Sequence, residues 1–217
     1  MASVINSILI NMPLILKGLA VTLGISALVL VIGTIIGICG GLALLYGKRV
    51  VRVLVRLYVD TLRGIPLLVL IFAIFYGLPV LRIRVPAITA AVIALSIFAG
   101  AHVSEVVRGA VDSLPKGQMD AAKAIGLTFP QRIRKVIFPQ AIRLILPPWV
   151  NTAAELVKAT SLVSLVSVVD LMQSVQQIVG RTRETLLFYA VAAMIYFVIN
   201  YTISSIGTRL EKRYMYT

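Results

Sequence analysis

The sequence is poor in cysteine, histidine, tryptophan and acid. Among 217 residues there is one Cys, one His, one Trp and only eight Asp or Glu. A lone Cys39 forms no internal disulfide, which excludes a disulfide-stapled scaffold. In its apolar stretch it reads as a packing residue. A lone His102 leaves no histidine metal site. With Cys39 in a separate stretch, no Ser/His/Asp or Cys/His nucleophile assembles either. Fifteen Gly and nine Pro are too few for a collagen repeat or a disordered chain. Charged residues make up 13% of the chain, against about 25% in an ordinary soluble domain.

What is present is apolar. Hydrophobic residues account for 59% of the chain, and the mean hydropathy is +0.99. A protein of this size has too much surface for its volume to hide that much apolar area from water, so lipid is part of its solvent. The net charge of +13 would suggest nucleic acid in a soluble protein. In a membrane protein, basic residues collect in cytoplasmic loops. No basic patch interleaved with aromatics occurs, so no nucleic-acid partner is expected. Met1 to Asn11 lack the cationic start of a cleavable signal, and Lys17 is the first charge. The beginning therefore reads as mature protein.

A spanning helix needs about 20 mostly apolar residues. Five segments qualify: 18–46, 64–81, 85–106, 149–172 and 185–208. The fourth carries Asn151, Thr152, Glu155, Lys158, Thr160, Ser161, Ser164 and Asp170, so its polar side must turn toward protein or water. Thr160, Ser161 and Ser164 either bond their own backbone and bend the helix or line a wet path. Basic residues concentrate in residues 46–58, residues 107–145 and the tail, leaving Arg82, Arg84, Arg181 and Arg183 on the other side. That bias places the N-terminus outside and the C-terminus in the cytoplasm. Five spans without an internal repeat suggest half of a pathway, completed by a second copy or a paralogue. Gly33, Gly37 and Gly41 are spaced for a close helix–helix approach, in the same chain or between chains.

Residues 113–146 form a long basic insert between the third and fourth spans. Pro115 and Gly117 end the preceding helix. Gln118 to Ile125 read as a short alanine-faced helix, Gly126 as its C-cap, and Thr128 with Pro130 as the start of a second short helix, interrupted at Pro139. A small apolar face on a basic block suits docking into a groove of a soluble partner.

Asp120-Ala121-Ala122, three residues, Gly126, nine residues, then Val136-Ile137-Phe138-Pro139 resembles the EAA loop of ABC importer permeases. That pattern is Glu-Ala-Ala-x3-Gly-x9-Ile-x-Leu-Pro. Thr61 to Pro66, Pro115 to Gln118, Phe138 to Arg143 and Lys158 to Leu162 are similar to the polar amino-acid branch. The resemblance covers almost the whole chain. It implies an all-α, five-span permease subunit in the cytoplasmic membrane of a bacterium or archaeon. It also implies a cytoplasmic ATPase dimer gripping Asp120, Ala121, Ala122, Gly126 and Pro139, a second permease, and an extracytoplasmic amino-acid-binding protein. The chain has no P-loop: Gly41 to Gly47-Lys48-Arg49 has the wrong spacing and lacks the Ser or Thr. ATP and Mg are therefore expected on the partner, with no cofactor on this chain and no enzymatic step of its own.

The candidate substrate contacts are Glu155, Asn151, Lys158, Thr152, Ser104 and His102. Asn151 and Glu155 are four apart and share a helix face, and Lys158 follows three later. Glu155 would hold an ammonium or guanidinium, Asn151 would add hydrogen bonds, and Lys158 would hold a carboxylate. The alternative is a Glu155–Lys158 pair that only neutralises itself. An unpaired Glu155 favours arginine, lysine or histidine; a cancelled one allows glutamine. His102 reads more readily as a packing or interfacial residue than as a ligand, Glu105 as the partner of Arg108, and Asp170 as a residue that meets water. A permease for methionine, a phosphonate or an osmolyte, and a non-transporting membrane scaffold, are the other readings.

Overall fold

The computed structural model describes residues 2–115 and 117–215. Among them every regular element is helical: α1 (Ala2–Tyr46), α2 (Arg49–Gly64), α3 (Leu67–Val80), α4 (Ala87–Asp112), α5 (Gly117–Ala124), α6 (Phe129–Arg132), a π-turn (Ile133–Ile137), α7 (Phe138–Ala159), a 3-10 turn (Thr160–Val166), α8 (Leu171–Thr182) and α9 (Thr185–Met215). Lys116, in the basic insert, lies outside the described residues. Among the described residues α1, α4 and α9 are long and apolar enough to cross a bilayer, and the total reaches five if each of two bent helix pairs is one span.

The first span is the inner part of a 45-residue helix, about 67 Å long at 1.5 Å per residue. It extends N-terminal of residue 18 because its early turns have partners. Ile15 is buried against Leu171, Val175 and Ile178 of α8 and Phe188 of α9, and the Ser7 hydroxyl donates to the Glu184 carboxylate. Further in, α1 makes its most extensive contact with α4. The glycine series explains why. A Cβ on Gly33 would lie 2.5 Å from Ala99, one on Gly41 2.7 Å from Val107, and one on Gly37 would collide with Val103. The close approach is therefore within one chain, as small residues in membrane helices permit.

Residues 46–58 are not a loop. Arg49, Arg52, Arg56 and Arg63 line one side of α2, while Val55, Val59 and Leu62 turn inward. The Tyr58 hydroxyl donates to the Ile97 carbonyl at 2.6 Å. After Gly64 the chain bends by 108° into α3, because Pro66 has no N–H and restrains Ile65 to an extended backbone. At 14 residues, α3 is only about 21 Å long, so it reaches the length of a span only together with α2, as a bent pair.

The insert begins as its residue pattern implies. Gly126 has a φ of +79°, the left-handed cap that glycine adopts freely, and the Thr128 N–H donates to Gln131 Oε1 at 3.0 Å. The second short helix differs from expectation. It does not stop at Pro139 but runs through the π-turn into α7. The Phe138 N–H bonds to the Ile133 carbonyl five residues back, and this widened turn seats Pro139, which has no N–H to offer, in the first turn of α7.

The fourth span is also not one helix. α7 ends at Ala159, the 3-10 turn follows, and α8 departs at 51°. Thr160 donates to the Val157 carbonyl at 2.7 Å, Ser161 to Lys158 at 2.8 Å and Ser164 to Ser161 at 2.7 Å. These bonds compete with the helical ladder and tighten it. Ser167, with a φ of +61°, closes the turn. Asp170 does not meet water. It is fully buried and caps α8 by accepting from the Gln173 N–H at 2.8 Å.

Candidate functional site

Where α7 faces α4 and the start of α3, a cavity of about 170 Å³ is lined by Leu67, Phe98, His102, Thr152, Glu155, Leu156 and Ala159. Each element contributes by its period. Phe98 and His102 are one turn apart on α4, and Thr152, Glu155, Leu156 and Ala159 form one stripe of α7. Leu67 is delivered by the bend at Pro66. Three of the sequence candidates, His102, Thr152 and Glu155, therefore meet in one place.

The other three are not among its lining residues. Asn151 is exposed one turn before Glu155, on the same face of α7. Lys158 lines a separate cavity with Ser161, Met172, Tyr189 and Tyr196, so spacing alone put it beside Glu155. Among the described residues no ion pair joins Glu155 to Lys158. Ser104 is fully buried on the α1 side of α4, where it abuts Gly40 and donates to the Gly100 carbonyl at 2.7 Å.

The pocket has a definite polarity. His102 Nδ1 lies 3.1 Å from the Phe98 carbonyl oxygen. A carbonyl only accepts, so Nδ1 is the donor of this bond. The His102 and Phe98 rings lie 4.3 Å apart between centroids. The Thr152 hydroxyl donates to the Pro148 carbonyl at 2.9 Å. Glu155 adds an exposed carboxylate. The Glu155 carboxylate and the Thr152 oxygen are thus left to accept, which favours a cation or an N–H donor. Phe98 and Leu67 were missed in the sequence. The four-residue step from Phe98 to His102 and the position of Leu67 directly after Pro66 were the available signals.

Below the pocket, Glu105 is paired as the sequence implied: Arg108 Nε donates to Oε1 at 2.9 Å. Arg56 of α2 adds a contact to Oε2 at 3.4 Å, and Arg108 reaches Asp112 at 3.6 Å. In the insert, Ala122 is buried while Asp120, Ala121, Ala124 and Ile125 are exposed. One alanine anchors α5 and the others present a small apolar face. Phe129 stacks edge-on against Tyr46, the last residue of α1, with centroids 5.3 Å apart.

An apolar helical bundle with a small pocket that carries Glu155, Thr152 and His102 and with a helical insert packed against it is the architecture expected of a membrane permease. The chain belongs to the family described as binding-protein-dependent transport system inner membrane component, which residues 30–216 match. Among its relatives is the probable amino-acid ABC transporter permease protein YckA of Bacillus subtilis, 36% identical over 94% of this chain and 90% of the relative. The glutamine transport system permease protein GlnP of Escherichia coli K12 is 35% identical over 93% of each. The arginine transport system permease protein ArtQ of Bacillus subtilis is 32% identical over 94% and 93%. A crystal structure of an amino acid ABC transporter with histidines superposes with a TM-score of 0.88 at 33% identity, covering 95% of this chain and 97% of that one.

Proposed function

We propose that this chain is a permease subunit of an ATP-driven importer of polar amino acids, with basic ones favoured. The observation that carries this reading is the pocket of acceptors around Glu155. The carboxylate is exposed and has no ion-pair partner among the described residues, which leaves its charge open to a counter-charge from the substrate. An ammonium or guanidinium supplies it. The Thr152 oxygen accepts a further N–H group. The relatives include both an arginine and a glutamine permease. Glutamine is the second reading, since a carboxamide N–H₂ suits the same acceptors while its α-ammonium meets Glu155.

In this reading the chain lies in the cytoplasmic membrane with its N-terminus outside. A separate ATPase dimer holds ATP and Mg and docks on Asp120, Ala121, Ala122, Gly126 and Pro139. A second permease copy or paralogue completes the pathway, and an extracytoplasmic binding protein delivers the substrate. Nucleotide-driven closure of the motor moves the insert, and the paired bundles alternate between outward and inward access.

Glu155→Gln keeps the shape of the side chain and removes its charge. In the assembled complex it is expected to abolish most substrate-stimulated ATP hydrolysis while the unstimulated rate persists. Unchanged stimulation and apparent affinity would remove Glu155 from the pathway.

A further inference from the structure

A cavity of about 240 Å³ lies where α1 and α4 meet the π-turn and α7. Buried Val103, Val107, Ile137 and Ala141 form its floor. Among the described residues its only polar side-chain groups are the Thr34 hydroxyl and the Trp149 indole, and they are joined to each other: Trp149 Nε1 donates to Thr34 Oγ1 at 2.9 Å. A buried water needs about two to four polar partners, and an apolar cavity of about 150 Å³ already stays dry and takes up small apolar molecules. This cavity is larger and offers water no such set. Phe138 and Ile142 line it and are exposed, so it opens to the outside of the chain along α7.

The charge around it is of one sign and lies toward the insert. Arg134 and Lys135 stand in the π-turn between the lining residues Ile133 and Ile137, and Arg143 follows Ile142. All three are exposed, and among the described residues none makes an ion pair. The acids Asp112 and Asp120 line a different cavity, and Asp112 is engaged with Arg108. Past Arg143 the lining continues through Ile145, Leu146 and Trp149, with no charge before Glu155, and α1 carries none from Gly18 to Tyr46. The site is therefore cationic at the insert and apolar toward the bundle.

We propose that this cavity holds an acyl chain of an anionic phospholipid, whose phosphate is met by Arg134, Lys135 and Arg143. An apolar tail beneath an anionic head has the polarity of the site, and basic pockets at the cytoplasmic ends of membrane helices hold such heads. Guanidinium groups match phosphate oxygens in pairs. The surrounding bilayer supplies this ligand at high concentration. One chain in the cavity touches α1, α4 and the run from the π-turn into α7 together, so it sets how the insert sits against the bundle. The proposal rests on the membrane reading above and not on which amino acid is carried.

The test uses the assembled permease–ATPase complex in vesicles that carry a small fraction of phosphatidylglycerol with a diazirine near the end of one acyl chain. Phosphatidylcholine with the same labelled chain is the comparison. After illumination the labelled peptides are mapped. Phosphatidylglycerol is expected to label residues 34–42 and 133–149 about tenfold more strongly than phosphatidylcholine, the scale of three cations acting on one anionic head. Combining Arg134→Gln, Lys135→Gln and Arg143→Gln is expected to bring the two lipids to equal yield. Arg82→Gln with Arg84→Gln, in the α3–α4 connection, is expected to leave the preference at its wild-type value. Ala141→Phe fills the cavity from its floor and is expected to lower labelling by both lipids; Ile142→Trp fills it from the rim and serves where Ala141→Phe does not assemble. Equal labelling by the two lipids in the wild type overturns the proposal, as does a preference that survives the triple substitution or is lost in the Arg82 and Arg84 variant. Undiminished labelling in the filled variants overturns it too. So does an absence of label at these residues while the exposed Met194 and Phe197 of α9 are labelled, which would show the ATPase or a second permease covering the cavity.

Discussion

At the scale of single residues, two kinds of constraint decide what each side chain does. One is conformational. Gly126 holds a left-handed backbone with open space where a Cβ would stand. Gly126→Ala would therefore meet no clash, yet it costs about 1–2 kcal/mol because the left-handed region crowds Cβ against the following carbonyl. The relief of that strain is expected to unwind the turn between α5 and α6. Substrate-stimulated hydrolysis should fall more than complex assembly, as measured by co-purification of the ATPase. The other constraint is which neighbour covers a side chain. Glu155 and Lys158 are three residues apart, and the sequence reads them as one clamp. α4 and α3 cover the stripe of Glu155, whereas α9 and the 3-10 turn border the stripe of Lys158. Periodicity gives the stripe and cannot give the neighbour. The same limit applies to Ser104, whose polarity suggested a cavity and whose hydroxyl serves its own helix.

At the scale of elements, steric detail in the sequence was more informative than hydropathy. The glycine series of α1 was legible as a packing seam, and the structure supplies its partner, α4. The seam gives a paired prediction. Gly37→Ala would drive its Cβ into Val103, whereas a Cβ on Gly24 meets nothing within 4 Å. Overpacking costs about 1–3 kcal/mol, while an exposed Gly→Ala in a helix gains up to about 1 kcal/mol. Thermal unfolding of the complex should therefore show Gly37→Ala destabilised and Gly24→Ala unchanged or stabilised. The hydroxyl series at Thr160, Ser161 and Ser164 announced the break in the fourth span as one of two options; the 3-10 turn realises the break, and Ser161 also lines a cavity. α2 was missed because four arginines within its 16 residues read as a cytoplasmic connection. Their three- and four-residue spacing was itself a helix signature. The run from α6 to α7 was missed because a proline ordinarily stops a helix, and a π-turn that accommodates one has no short-range sequence pattern.

At the scale of the whole molecule, α1 is the member that touches both ends. Its first turns meet the α8–α9 junction through Ser7 and Glu184, and its last residue, Tyr46, meets Phe129 in the insert. About 67 Å of helix thus ties the α8–α9 junction to the insert. Tyr46→Ala removes an edge-on aromatic contact of about 0.5–1.5 kcal/mol. It is expected to leave assembly intact while lowering the fraction of ATP turnover that responds to substrate, read as the stimulated-to-basal ratio in nanodiscs.

The central claim is that the α5 face grips an ATP-driven motor on the cytoplasmic side. Cys39 is the chain's only cysteine, so Cys39→Ala followed by Ala121→Cys places a single thiol on the exposed side of α5. In inverted membrane vesicles containing the assembled transporter, a short thiol-to-amine cross-linker should join position 121 to the ATPase subunit, with a yield that changes when ATP is added. Labelling of that thiol by a membrane-impermeant maleimide in intact cells, with no cross-link to the ATPase in vesicles, would contradict the account.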